Sequence, residues 1–218
     1  MKIRNFVLGM VSTNCYLVIH EETRQCVLID AAVYSSEITE QIRREGLDFR
    51  GILLTHGHFD HIMGIEGFVK EFPGLPVYAH REEAVLLTDA TMNASADFGR
   101  PYTYSGASYT EDGGHLELAG LRFQVIHTPG HTIGGCCYYL PGEKVLFSGD
   151  TLFRESIGRT DFPTGNSRQL IDSVQKKLFT LPEDTVVYPG HMEATTIGDE
   201  LKYNPYFERT ASKKTSDL

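Results

Sequence analysis

No stretch of the 218 residues holds about 18 consecutive apolar side chains, so the sequence predicts no helix that spans a membrane. The short apolar run Phe6-Val7-Leu8-Gly9-Met10-Val11 has no small-x-small cleavage site before Asn14 and reads as a first strand, not a secretory signal. An excess of basic residues is also missing. Twenty Lys+Arg against 29 Asp+Glu leave a net charge of −9, which argues against a nucleic-acid partner, since phosphate backbones need a basic face. Cysteine is sparse: Cys15, Cys26, Cys136 and Cys137 form neither a zinc-ribbon spacing nor a C-x-x-C pair. Cys15, Cys136 and Cys137 lie in strand-like segments and are expected as small buried hydrophobes in a reducing compartment, and the cytoplasm follows as the expected location. Repeats, low-complexity tracts and Pro/Gly-rich linkers are absent, so residues 1–218 read as one domain. A chain of this length buries about 70% of its unfolded surface and needs no disulfide staples.

The patterning is of mixed type. Asn14–His20 and Gln25–Asp30 are rich in β-formers, and Ser36 opens a helix that carries acid early, base late, and stops at Gly46. Gly51–Thr55 is a short apolar strand. Ile62, Ile65, Phe68, Val69 and Phe72 recur at helical spacing and predict one helix ending at Pro73-Gly74. Pro76–Ala79 reads as a strand and Arg81–Leu87 as a short helix, whereas residues 88–114 show no periodicity and read as a long loop, functional or mobile. His115–Leu118, Leu121–Ile126, Gly135–Leu140, Lys144–Ser148 and Thr185–Tyr188 are predicted strands. Asn166-Ser167 caps a helix through Leu170, Val174 and Leu178, and the polar tail after Phe207 is expected to fray. Strands dominate each half, which favours an α+β arrangement of two packed sheets with helices outside.

The histidines carry the chemistry. Thr55-His56-Gly57-His58-Phe59-Asp60-His61 follows a buried strand and places three imidazoles and a carboxylate within six residues, a pattern that arises in about one random chain of this composition in a thousand. His56 and His58 can face one metal ion, while Asp60 and His61, at the start of the next helix, can reach a second about 3.5–4 Å away. The bland alternative, a structural single-metal site, usually recruits thiolates, and no cysteine is nearby. His127-Thr128-Pro129-Gly130-His131, Ser148-Gly149-Asp150 and Tyr188-Pro189-Gly190-His191 each put a ligand type where a strand ends.

Together, Thr-His-Gly-His-Phe-Asp-His, Pro-Gly-His-Thr, Ser-Gly-Asp and Pro-Gly-His resemble the ordered motifs of the metallo-β-lactamase superfamily over nearly the whole chain. The resemblance implies the four-layered αβ/βα sandwich, the metallo-β-lactamase fold, with its site along the edge between the sheets. It implies that His56, His58 and His131 hold one ion, that Asp60, His61 and His191 hold another, and that Asp150 bridges them. Two divalent ions are expected, zinc first, with iron or manganese as alternatives. Ile157-Gly-Arg-Thr-Asp-Phe-Pro163 and Asn204-Pro-Tyr206 are similar to the short glyoxalase II-like hydrolases. The implied activity is hydrolysis of a thioester of the S-lactoylglutathione type, with a metal-bridging hydroxide as nucleophile and Asp60 as the catalytic carboxylate.

A small-molecule substrate, a glutathione conjugate, is the expected partner, with Arg159, Arg100 and Tyr102 as candidate substrate contacts. Arg159 beside Asp161 also suits a loop-bracing ion pair, and aromatic residues near Tyr102 suit packing of a loop. Asn14 is expected in a turn. The C-terminal helical domain of the longer glyoxalase II proteins is not expected, because only 27 residues follow His191 (218 − 191). The rivals are a mononuclear iron persulfide dioxygenase using His56, His58, His131 and Asp150, and a lactonase-type hydrolase of the same superfamily.

Overall fold

Alternation along the strands decides the architecture. A computed structural model describes residues 1–207, so the tail after Phe207 lies outside the described residues. The first half runs β1 (Lys2–Leu8), β2 (Thr13–His20), β3 (Gln25–Ile29), α1 (Ser36–Arg44), β4 (Asp48–Leu53), α2 (Phe59–Ile62), α3 (Ile65–Glu71), β5 (Val77–His80), α4 (Ala84–Leu87) and β6 (Ser108–Thr110). The second runs β7 (His115–Leu118), β8 (Leu121–His127), β9 (Cys136–Leu140), β10 (Val145–Gly149), β11 (Leu152–Phe153), β12 (Ser156–Ile157), α5 (Ser167–Lys176), β13 (Val186–Pro189), β14 (Thr195–Thr196) and α6 (Ile197–Tyr203). Six strands in the order β1-β2-β3-β4-β5-β6 form one sheet, six in the order β14-β13-β10-β9-β8-β7 form the other, and β11 pairs with β12.

On β2, Cys15, Leu17 and Ile19 join a cluster with Ile38, Ile42, Ile65 and Phe68 of α1 and α3, while Tyr16 and Val18 point the other way. That opposite face meets Phe123, Val125, Tyr138 and Phe147 of the second sheet. On β9 and β10, Cys137, Tyr139 and Leu146 turn outward to Val174 of α5 and Ile197 of α6. Period-2 strands with both faces apolar need cover on both sides. Three apolar layers therefore separate four layers of structure, helix–sheet–sheet–helix, as the resemblance implied. All four cysteines are buried and free. Among the described residues no helix is long and apolar enough to cross a membrane.

Three local expectations change. The helical spacing from Ile62 to Phe72 is split into α2 and α3, because Gly64 donates its N–H to Ala31 O and sits where a Cβ would meet the Val33 backbone. Residues 88–107 contain no strand or helix, but they are pinned from inside. Buried Asn93 donates to the carbonyls of Leu86 and Tyr102, and β6 closes the segment. The helix α6 was not anticipated, although Thr196 caps it by accepting from Asp199 N–H.

The parallel pairs set the active edge. β3 runs parallel to β4, and β10 to β13, so residues 30 and 54–56 leave one sheet side by side, as residues 150 and 190–191 leave the other. Direct bonds lock the two edges together: Cys136 N–H to Thr55 O at 2.9 Å, and Asn14 N–H to Gly190 O at 2.7 Å.

Candidate metal centre

Seven side chains from four segments converge where the sheets meet. His56 Nε2 and His58 Nδ1 stand 3.2 Å and 2.9 Å from His131 Nε2. His61 Nε2 lies 3.3 Å from Asp60 Oδ2 and 3.5 Å from Asp150 Oδ1, and His191 Nε2 lies 3.2 Å from Asp60 Oδ2 and 3.5 Å from Asp150 Oδ2. His131 Nε2 completes the set at 3.6 Å from Asp150 Oδ2. These atoms fall into three groups of possible ligands: His56/His58/His131, His56/His61/Asp150 and Asp60/His61/His191.

The backbone makes room for this approach. Gly149 has φ +49°, and a Cβ there would strike the side chain of Thr55; a Cβ on Gly190 would strike Asp150 Oδ1. Only glycine takes up both positions without displacing a ligand or its support. Asn14, expected in a turn, lies instead on buried β2 and donates to Pro189 O and Met192 O, both at 2.9 Å, which holds the loop of His191 in place.

Hydrogen bonds on the far side of the His56, His61 and His131 rings aim their other nitrogens inward. His131 Nδ1 donates to Arg159 O at 2.7 Å, which leaves Nε2 as the acceptor of a neutral ring. Thr55 donates its hydroxyl to Asp30 Oδ2 at 2.8 Å and is open to His56 Nδ1 at 3.2 Å. His61 Nδ1 donates to Asp30 Oδ2 at 2.8 Å. Such outer partners fix tautomer and orientation in histidine metal sites. Asp30 also accepts the Thr55 N–H at 2.8 Å, and Thr13 donates to Asp60 Oδ2 at 2.8 Å.

The electrostatics of the two halves differ. Burial, with the neighbouring imidazoles, holds His56 and His58 well below the usual histidine range, and burial lowers His131 as well. Burial also works against a charged His61 and His191. There the carboxylates outweigh it: Asp60, Asp30 and Asp150 hold His61 well above its usual value, and Asp60 and Asp150 raise His191. Burial would raise Asp60, but His61 and His191 overcome it and keep its pKa well below normal.

This arrangement fits cations. Three neutral imidazoles turn lone pairs toward one point, and a second point is ringed by two carboxylates and two imidazoles. Buried His61 Nε2 and Asp150 Oδ1 have no hydrogen-bond partner, a cost that a bound ion removes. With nitrogen and oxygen donors and no thiolate, the cluster suits divalent ions such as zinc, iron or manganese.

A cleft of about 510 Å³ opens onto the cluster, lined by His58, Asp60, His131, Asp150, His191 and Arg159. Arg159 is braced: its guanidinium makes two 2.7 Å bonds to Asp161 and lies 3.8 Å from the centre of the Phe162 ring. Both roles weighed for it have a footing, since the same side chain rims the cleft. Arg100 lines a neighbouring pocket that shares Asp60 with the cleft. Tyr102 is not brought to the cluster; it packs against the helix-side core of the first sheet.

Three residues of the site had no signal in a motif. Asp30 and Thr13 are single residues at strand ends. Glu83, fully buried, accepts from Gly57 N–H at 3.1 Å, Gly134 N–H at 3.0 Å and the Thr132 hydroxyl, and so ties the His56–His58 loop to the His131 loop. Burial lifts its pKa to about 7 against the pull of these donors.

A four-layered sandwich with this donor set at its sheet edge defines a metallo-hydrolase. The sequence pattern of the metallo-beta-lactamase superfamily matches residues 8–191, and the chain belongs to that family. It is 37% identical to the probable metallo-hydrolase YqgX of Bacillus subtilis over 94% of this chain and 97% of that one. It is 34% identical to the hydroxyacylglutathione hydrolase GloC of Haemophilus influenzae over 94% and 98%. Among solved structures, it resembles the BLEG-1 B3 metallo-beta-lactamase with a TM-score of 0.89 at 37% identity, covering 95% of this chain and 100% of that one. It also resembles TTHA1623 in a di-iron-bound form, with a TM-score of 0.83 at 36% identity over 93% and 99%.

Proposed function

We propose that the chain is a dinuclear metal-dependent thioester hydrolase acting on small acyl thioesters of the S-lactoylglutathione type. His56, His58 and His131 would hold one ion, Asp60, His61 and His191 the other, and Asp150 both, with zinc the first expectation. The observation that carries this reading is the seven-residue cluster with its inward lone pairs and its unpartnered buried His61 Nε2 and Asp150 Oδ1. The likeness to GloC supports the substrate class, and the likeness to a di-iron structure supports the pair of ions.

When bound, such a pair supplies Lewis acidity and lowers the pKa of a shared water toward about 7. The protein's own groups do the rest. Asp60, held ionised by His61 and His191 and steadied by Thr13, accepts a hydrogen bond from the attacking water and orients its oxygen toward the carbonyl carbon. A C–O bond forms and the C–S bond breaks; the water's first proton is released to solvent as the nucleophile forms, and its second passes from the new carboxylic acid, by way of Asp60, to the departing thiolate. A thiolate with a pKa of about 8.5 leaves without a dedicated acid, which is why a thioester suits a cleft whose buried carboxylates are all committed. Arg159 at the rim supplies a positive charge for an anionic thiol such as glutathione.

The test is turnover of S-lactoylglutathione by metal-loaded protein, with oxygen uptake on glutathione persulfide measured in parallel. Thioester loss that disappears in the Asp150→Ala variant supports the reading. Oxygen uptake without thioester loss overturns it in favour of a dioxygenase.

A further inference from the structure

The metal cleft continues into a second, smaller pocket of about 220 Å³ that shares Phe59, Asp60 and Phe98 with it. Its walls are carbon: Met10, Val33, Met63, and the Phe59 and Phe98 rings stacked with centroids 4.2 Å apart. Arg100 stands as its one cation. Large apolar side chains are also exposed around these two cavities. Met10 is 69% exposed, Met192 57%, Phe98 43% and Val11 41%. Exposed apolar groups gathered at the mouth of a reactive site mark the place where a ligand covers them.

We infer that this pocket binds the acyl half of the substrate, and that the preferred substrates are thioesters of an apolar acyl chain of about six non-hydrogen atoms. The inference rests on the thioester reading for its chemistry. Asp60 forms the common wall, so a carbonyl carbon set beside it has the small pocket on one side and the open cleft on the other. The larger cleft, about 510 Å³ with Val11, Phe153, Ile157 and Met192 also on its walls, has the room for the bulkier thiol half, and Arg159 stands at its rim. The smaller one, at about 30 Å³ per water-sized group, takes on the order of seven such groups. A lactoyl group is too short to fill it, and its one methyl would leave most of the Met10, Val33 and Met63 surface uncovered. A hydrocarbon chain would cover Met10 and Phe98, which otherwise face water.

The first measurement is kcat/KM for acetyl, butanoyl, hexanoyl and lactoyl thioesters of one thiol. Each methylene fully buried is worth about fourfold. Hexanoyl should therefore exceed acetyl and lactoyl about tenfold or more, even with half of its extra methylenes covered. Met10→Asp should bring the hexanoyl-to-acetyl ratio back toward one, and Met63→Trp, which fills the pocket, should do the same. The second measurement needs no turnover: the methionine methyl signals of the metal-loaded protein are followed while the uncleavable S-hexyl and S-methyl derivatives of the thiol are added. Met10 and Met63 should shift with S-hexyl and not with S-methyl. A hexanoyl-to-acetyl ratio at or below one, with acetyl cleaved, overturns the pocket assignment and leaves the thioester reading standing. Cleavage of none of the thioesters overturns the thioester reading, and the methyl signals then decide the pocket alone. S-hexyl binding that leaves Met10 and Met63 unmoved overturns it.

Discussion

Asp30→Asn isolates the part played by one buried carboxylate outside the ligand set. Asp30 is 1% exposed and accepts three hydrogen bonds at 2.8 Å, from Thr55 N–H, the Thr55 hydroxyl and His61 Nδ1. An asparagine keeps one carbonyl oxygen and turns two N–H donors toward groups that are themselves donors. The amide oxygen can serve the Thr55 N–H, and the NH₂ then faces His61 Nδ1, which must give up its proton. The His61 proton moves to Nε2, the atom aimed at Asp60 and Asp150, where an ion has to bind. Loss of such an outer partner weakens histidine metal sites about 10–100-fold, or about 1.4–2.7 kcal/mol. A further ~1–3 kcal/mol of folding stability goes if a buried donor is left unpaired. Competition with a chromophoric zinc chelator measures the affinity ion by ion. The ion of the Asp60/His61/His191 group should lose affinity within that range, and more than its neighbour, which feels the change only through Thr55 and His56. Two ions held by Asp30→Asn as tightly as by the wild type would refute the argument that Asp30 sets the tautomer of His61.

Acid should strip the two ions in order. Because His61 and His191 are raised and His56, His58 and His131 lowered, protons compete for the Asp60/His61/His191 group first as pH falls, and for the other group only at lower pH; metal retained per chain after dialysis across a pH series should fall in two steps. Glu83→Ala should cost at least about 2 kcal/mol in denaturant unfolding, since it strands Gly57 N–H, Gly134 N–H and the Thr132 hydroxyl in the interior. Burial raises Glu83 from 4.5 to about 7, so the folded protein keeps a proton that the unfolded chain releases. Its contribution to stability is therefore greatest below about pH 4.5 and declines as pH rises to about 7. Unfolding free energies of wild type minus Glu83→Gln should show that decline. Arg159→Ala removes an exposed pair with Asp161 and should cost under about 1 kcal/mol in stability, while raising KM for an anionic thioester more than it lowers kcat.

What was legible in the sequence is what is contiguous. His56, His58, Asp60 and His61 sit in one turn, and His131, Asp150 and His191 each follow a strand within a short glycine-containing motif, so local spacing alone pointed to them. Asp30, Thr13 and Glu83 carry no motif, and their nearest partners lie 25, 47 and 26 residues away. Only strand pairing brings them to the site. The division of α2 from α3 was hidden because the apolar periodicity runs through Gly64; a contact with the Val33 backbone, distant in sequence, breaks the helix there. The helix α6 did have a local signal, Thr196 three residues before Asp199, a capping pattern at the start of a seven-residue helix. Tyr102 could not be placed from sequence, because the fold of residues 88–107 is decided by Asn93 and Ser95 bonding the carbonyl of Tyr102, not by its ring.

Metal content per chain tests the central claim most directly. Protein produced without added metal and kept under nitrogen should carry close to two divalent ions per chain, and Asp150→Ala, which removes the side chain shared by both groups, should carry fewer than one. Close to one iron per wild-type chain, unchanged when His191 is replaced by Ala, would contradict a dinuclear hydrolase and leave Asp60, His61 and His191 without the role assigned to them.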